Sequence, residues 1–233
     1  MKNILFTLAL LVSFSSFGQT AEDYFNSGNA KIQIKDYKGA ISDYTKAIEL
    51  DPGFSRDYYN RGSAKAFLKD DIGAISDFTK TIELEPNYAQ AYYNRGNSKS
   101  NLKDYKGAIS DYTKAIELDP NFDIAYYNRG NKKFILKDYS GAIDDYNKAI
   151  ELNPNYMLYY AGKGIAKMYL KDYNGAIADF TKVIELEPNY AQAYFNRGLS
   201  KYYSNDLIGA CDDASKAQSI GFDSSELIKA SCN

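Results

Sequence analysis

The sequence has no histidine in its 233 residues. That absence removes the most common general base, the Ser-His-Asp and Cys-His pairings, and most zinc sites. Tryptophan is missing as well, and there are only two cysteines, Cys211 and Cys232. No glycine-rich phosphate loop is present, since most of the glycines stand far apart at regular intervals. With 28 basic and 30 acidic residues the formal net charge is −2. Nucleic acid demands a basic face, so this balance gives no reason to expect it as a partner. The composition calls for no cofactor and no metal. Charged residues at 25% and hydrophobic ones at 45% are ordinary for a folded soluble chain.

Proline is scarce, and its positions are informative. The five prolines, Pro52, Pro86, Pro120, Pro154 and Pro188, are each 34 residues from the next. A period of this size marks a solenoid, whose units bury their apolar faces against one another. Six units fit, spanning 21–54, 55–88, 89–122, 123–156, 157–190 and 191–224. Their eighth place is always glycine (Gly28, Gly62, Gly96, Gly130, Gly164, Gly198), and so is their nineteenth, from Gly39 to Gly209. The twentieth is always alanine, from Ala40 to Ala210.

In the third unit Ala108, Ile109, Tyr112, Ala115 and Ile116 recur at the spacing of one helical face. Asp104 is placed to cap that helix, and Pro120 ends it. The segment from Ala89 to about Leu102 contains good helix formers and no proline, so each unit is predicted to be helix, turn, helix. A helical glycine costs roughly 0.5–1 kcal/mol against alanine. Its presence at Gly96 is read as steric, allowing close approach of the second helix at Ala108.

The run Tyr92, Gly96, Ala108, Tyr112, Ala115 and Pro120 resembles the tetratricopeptide repeat, and the resemblance covers nearly all of the chain after its first residues. It implies an all-α fold: a right-handed superhelical solenoid of helix-turn-helix units that is not an enzyme and holds protein or peptide partners in its concave groove. There are departures. Tyrosine stands where tryptophan is usual. Arg61, Arg95, Arg129 and Arg197, each with a lysine four residues on, replace the common leucine and tyrosine. The sixth unit has Phe222 and Ala214 in place of the proline and the second-helix aromatic, as expected of a modified terminal repeat.

Several columns carry candidate functions. Asp43, Asp77, Asp111, Asp145, Asp179 and Asp213 share the twenty-third place. A catalytic residue has no reason to recur in every unit, so each is expected to pair with the Arg or Lys of its first helix. Tyr44, Phe78, Tyr112, Tyr146 and Phe180 are packing residues of the second helix. Tyr59, Tyr93 and Tyr127, with Phe25 and Phe195, hold the fifth place, which the resemblance points into the groove. The sixth place reads Asn26, Asn60, Asn94, Asn128, Gly162, Asn196, with Asn29, Asn97 and Asn131 three residues beyond. Side-chain amides offer a donor and an acceptor together and suit the backbone of an extended peptide. Their alternative role is a local brace between helices. The family's clamp for a terminal carboxylate needs lysine at the fifth place, which is aromatic here. Farther along, Phe134, Ile135, Ile165, Met168, Tyr169, Tyr202 and Tyr203 replace polar residues such as Asn97, Ser100 and Asn101, predicting an apolar C-terminal half of the groove. A second functional reading is a structural or glycan-binding role based on the groove tyrosines.

Residues 1–18 have one lysine, an apolar run from Ile4 to Val12, and Ser16-Phe17-Gly18. This is the layout of a secretory signal peptide, predicting an exported, periplasmic or secreted chain with no stable membrane span after cleavage. Cys211 and Cys232 are a disulfide candidate in that setting, with two buried free thiols as the alternative. Residues from 225 to 233 are expected to form a C-terminal capping helix, with Phe222, Leu227 and Ile228 covering the last repeat.

Overall fold

The structure, a computed structural model, describes residues 19–232; the predicted leader lies outside the described residues. Among these, thirteen α-helices and no strands are found. The first helices of the units are α1 (Ala21–Gln33), α3 (Ser55–Phe67), α5 (Ala89–Asn101), α7 (Asp123–Ile135), α9 (Met157–Tyr169) and α11 (Ala191–Tyr203). Their partners are α2 (Tyr37–Leu50), α4 (Asp71–Leu84), α6 (Tyr105–Leu118), α8 (Tyr139–Leu152), α10 (Tyr173–Leu186) and α12 (Leu207–Ser219), followed by α13 (Ser225–Ser231). Each helix packs on the next in sequence, so the chain is an all-α solenoid without a single centre.

The turn inside each unit is built identically. Helix α5 ends on Leu102, and Lys103 takes a left-handed conformation with φ 64°. The amide of Asp104 bonds Lys99 O at 2.9 Å and that of Lys103 bonds Ser100 O at 3.0 Å, which is the Schellman closure. Glycine is the usual occupant of that position, yet Lys35, Lys69, Lys137, Lys171 and Asn205 hold it in the other units. Asp104 then caps α6 by accepting from Gly107 N at 2.9 Å. A Cβ on Gly107 would stand 2.1 Å from the capping carboxylate, which explains the nineteenth-place glycine.

The eighth-place glycine has a somewhat different reason from the one expected. A Cβ on Gly96 would meet the Tyr112 ring first, at 2.9 Å, and Ala108 O only at 3.3 Å. The close approach therefore seats an aromatic ring as well as a helix backbone. Tyr44, Phe78, Tyr112, Tyr146 and Phe180 are all buried, on a bed of fully buried alanines.

The charge column bridges the two helices of each unit. Arg95 donates to Asp111 through Nε at 2.9 Å and Nη2 at 2.7 Å, and Lys99 Nζ lies 2.8 Å from the same carboxylate. Arg95 Nη1 also reaches Thr79 Oγ1, on the second helix of the preceding unit, at 3.1 Å. Arg61, Arg129 and Arg197 repeat this three-helix stitch through Thr45, Thr113 and Thr181. Lys163 replaces the arginine in the fifth unit and bonds Asp179 alone, at 2.9 Å.

At the thirteenth place rings make contact across unit boundaries. Tyr169 and Tyr203 stack at the edge of the solenoid on Tyr139 and Tyr173 of the preceding unit, with centroids 5.0 and 5.3 Å apart, as Phe67 does on Tyr37. These rings begin or end helices beside the intra-unit turn, and Phe67 and Asn101 at the same place also line a hollow between the second and third units. Met168 packs against the buried cluster of Phe180 and Val183.

At the C-terminus α13 lies against α11 and α12 where a further unit would stand. Leu227 is buried, Phe222 packs on Phe195 at 4.7 Å, and Ser224 Oγ donates to Ala214 O at 2.6 Å. Cys211 and Cys232 are joined, with Cα atoms 5.0 Å apart.

Candidate functional site

First helices of successive units lie side by side, with α3 touching α5, α7 touching α9, and α9 touching α11. The hollows between them carry the columns of candidate residues. One, of about 470 Å³, includes Tyr59, Ser63, Lys69, Asn94, Asn97 and Asn101 among its walls. A smaller one of about 110 Å³ lies between Asn29 and Asn60.

The asparagines are fixed by a network that crosses unit boundaries. Tyr112 Oη donates to Asn97 Oδ1 at 2.8 Å, and Asn128 Nδ2 of the next unit donates to the same oxygen at 3.3 Å and to Tyr93 Oη at 3.0 Å. In the first two units Asn29 Oδ1 likewise accepts from Tyr44 Oη at 2.8 Å and Asn60 Nδ2 at 3.2 Å. Where Ser63 takes the ninth place, Asn94 Nδ2 uses Tyr59 Oη alone, at 2.9 Å. Burial pushes the Tyr59 phenol up to about 12, and also raises Tyr93 and Tyr127, so these hydroxyls stay neutral at physiological pH. Among the described residues Asn26 makes a single side-chain hydrogen bond, donating to Glu22 on its own helix at 3.4 Å.

This network sets the polarity that each amide has left to offer. Asn128 commits both N–H groups of Nδ2 to the brace and Asn60 one of its two, and among the described residues no hydrogen bond ends on their Oδ1. Asn29 and Asn97 commit Oδ1 twice, so their remaining capacity is N–H. Acceptors and donors thus alternate from unit to unit along the groove. The two roles weighed for the asparagines, brace and ligand surface, are compatible in one side chain.

The fifth-place rings are half-buried and largely tiled. Tyr59 lies 4.9 Å from Tyr88, Tyr93 lies 4.8 Å from Phe122, and Tyr127 lies 5.1 Å from Tyr159, each also meeting the second-helix aromatic of its unit.

The fifth unit breaks the pattern. Ala161 and Gly162 stand where the other units have an aromatic ring and an asparagine, and Ile165 replaces the polar ninth-place residue of the first four. A hollow of about 300 Å³ opens there, between Tyr127, Asn131 and Phe134 on one side and Leu158, Ile165 and Tyr190 on the other. Asn131 Oδ1 still accepts from Tyr146 Oη at 2.8 Å but has lost its donor from the next unit. Among the described residues Asn196 likewise finds no partner across its boundary, and it accepts from Gln192 on its own helix at 3.2 Å. Leu158, Ala161 and Tyr190 were not singled out from sequence. Their signal was two small residues side by side in columns that are otherwise large.

Among the described residues no cluster of three or more metal-ligating side chains occurs, and no helix is long and apolar enough to cross a membrane.

Comparison with known proteins gives a consistent result. The chain matches the family described as tetratricopeptide repeat over residues 21–54, 89–122 and 124–156, and as TPR repeat over 164–203. Among solved structures it is similar to YrrB, described as a TPR protein with an unusual peptide-binding site, at 25% identity and a TM-score of 0.73, covering 82% of this chain and 98% of that one. It is similar to MamA from Desulfovibrio magneticus RS-1 at 26% identity and a TM-score of 0.70, covering 74% and 98% of the two chains. A TPR repeat-containing protein from Cytophaga hutchinsonii shares the fold at 20% identity and a TM-score of 0.76, covering 84% and 78%. No curated protein matches the chain.

Proposed function

The chain belongs to the tetratricopeptide-repeat family, whose members are protein-interaction scaffolds, and on that premise we propose that its groove holds an extended segment of a partner protein by its backbone. The observation that carries this reading is the fixed polarity of the asparagines. Oδ1 of Asn60 and Asn128 and the remaining N–H of Asn29 and Asn97 offer acceptors and donors in alternation. An extended backbone presents N–H and C=O groups that such a row can satisfy without selecting side chains. The similarity to YrrB, with its described peptide-binding site, points the same way. A glycan-binding role has less support, because Tyr59, Tyr93 and Tyr127 are each already packed at a tilt against a neighbouring ring.

Export rests on the leader read in residues 1–18 and on a cysteine pair suited to an oxidising compartment. The partner is then another exported or envelope protein. Peptides selected by display against the chain from Gln19 onward test the groove. Changing Asn60, Asn94 and Asn128 together to alanine is expected to weaken their binding by roughly tenfold to a thousandfold, at about 0.5–1.5 kcal/mol per lost bond. Unchanged affinity in the folded triple variant refutes the reading.

A further inference from the structure

We propose that the hollow of the fifth unit is a socket for one neutral aromatic side chain of the bound segment, a tyrosine or tryptophan. This rests on the groove reading above and adds to it a sequence requirement for the partner.

Two adjacent residues open the socket. The fifth place is Phe25, Tyr59, Tyr93, Tyr127 and Phe195 in the other units but Ala161 here, and the sixth is asparagine in all the others but Gly162 here. The first helix has therefore lost a ring and an amide from neighbouring groove positions, while the backbone of α9 keeps its place in the solenoid. Part of that room is taken by the Tyr146 ring, whose Cζ would stand 2.9 Å from a Cβ on Gly162, and the hollow is what remains between this ring, Ala161 and Ile165.

The walls indicate what fills that space. Four of them are aromatic, Tyr127, Phe134, Tyr146 and Tyr190, and Leu158 and Ile165 close the side toward the fifth unit. Offset and edge-to-face contacts make rings the favoured guests of ring-lined space. Among the described residues no charged group lines this hollow, whereas Lys69 lines the one between the second and third units. A charged guest would lose its hydration with nothing to offset it, so the complementary side chain is neutral.

Besides the tyrosine hydroxyls, the walls hold the amide of Asn131. In the first and third units the equivalent Oδ1 accepts one bond from a tyrosine of its own unit and one from the next unit's asparagine. Here only Tyr146 Oη is present, and the second donor is missing because Gly162 has no side chain. A tyrosine hydroxyl or an indole N–H supplies that donor, which phenylalanine or leucine cannot.

The test uses the chain from Gln19 to Asn233 with labelled isoleucine and leucine methyl groups, observed by NMR. The probes are acetyl-Gly-Ser-Tyr-Ser-Gly-amide, its Ala and Asp counterparts, and N-acetyltyrosinamide. The tyrosine peptide is expected to shift the Leu158 and Ile165 methyls saturably and to bind at least about tenfold more tightly than the alanine and aspartate peptides. Ala161→Tyr, which restores the ring of the other units, is expected to abolish those shifts, and Ile165→Asn serves as a second variant should that one misfold. Equal binding of the tyrosine and alanine peptides overturns the socket and leaves the groove reading standing. Shifts at these methyls from N-acetyltyrosinamide, with no peptide binding more tightly than it, support the socket and count against the groove. If no probe moves either methyl, the socket is overturned.

Discussion

Asn101 donates from Nδ2 to Asp71 Oδ1 at 3.0 Å, across the junction of the second and third units. At the equivalent place three other junctions stack two rings, Phe67 on Tyr37, Tyr169 on Tyr139, and Tyr203 on Tyr173. One polar junction among aromatic ones marks which units belong side by side, because neither partner suits an aromatic neighbour.

The pair is expected to behave as a coupled switch. Asn101→Tyr alone removes the donor from the buried Asp71 carboxylate and should destabilise by about 1–3 kcal/mol. Adding Asp71→Tyr should recover most of that by recreating a stacked junction, with a coupling of about 0.5–3 kcal/mol. Urea unfolding of the two single variants and the double variant measures it, and simple additivity would show the two residues to be independent.

Asp57 is a second polar residue out of pattern, with a 3.3 Å bond from Arg56 Nε to its Oδ1. It is fully buried, its Oδ2 has no hydrogen-bond partner, and Ala91, Ala125 and Ala193 occupy its place in three other units. Burial pushes its carboxyl above the ordinary 3.8, with Arg56 only partly opposing this. The folded chain thus holds the Asp57 proton more tightly than the unfolded one, so this group's contribution to stability falls as pH rises from 3.8 through the raised value. Asp57→Ala is expected to stabilise by about 1–3 kcal/mol at neutral pH. Thermal unfolding at pH 7 and near pH 3.5 should show the gain shrinking in acid, whereas a pH-independent gain would assign it to packing.

Much of this fold was legible because its determinants are local. Pro120, Gly107 and Asp104 act within a few residues of themselves, and Asp111 pairs with Arg95 and Lys99 inside one unit. What could not be read depends on neighbours a unit away. The brace at Asn97 needs Tyr112 of its own unit and Asn128 of the next, and Arg95 also spans two units through Thr79. That the thirteenth-place rings reach the second helix of the preceding unit could not be read, because periodicity gives the face of a helix but not where its last turn stops. Lys103 in a left-handed turn breaks a local preference and had no sequence signal.

The cap should be the first part to yield under reducing conditions. Helix α13 has only seven residues, too few to hold itself without packing or a tether. Its bond to α12 closes a separation of 21 residues, for which loop entropy gives about 3 kcal/mol. Hydrogen exchange with and without dithiothreitol is expected to show α13 losing protection while α5 to α8 keep theirs. Uniform loss along the solenoid would mean that the tether stabilises the whole array.

The charge column gives the sharpest contrast between breaking an interaction and replacing it. Asp111 is buried, and its one carboxylate pairs with both Arg95 and Lys99, whose side chains are 16% and 22% exposed. Asp111→Ala leaves two cations facing each other between α5 and α6 and takes from Arg95 the fork that aims Nη1 at Thr79. A loss of about 3–5 kcal/mol is expected, discounted toward the lower end by the water that still reaches both cations. Removing all three charges is another matter. Arg95→Met, Lys99→Leu and Asp111→Val together fill about the same space with apolar groups, and such replacements are often neutral or stabilising by about 1–4 kcal/mol. Guanidinium denaturation should therefore place the triple variant at or above the parent and the single variant well below it. If the triple variant is as unstable as the single one, the stitch through Thr79 must contribute stability that packing cannot replace, and the arginine would be holding successive units in register.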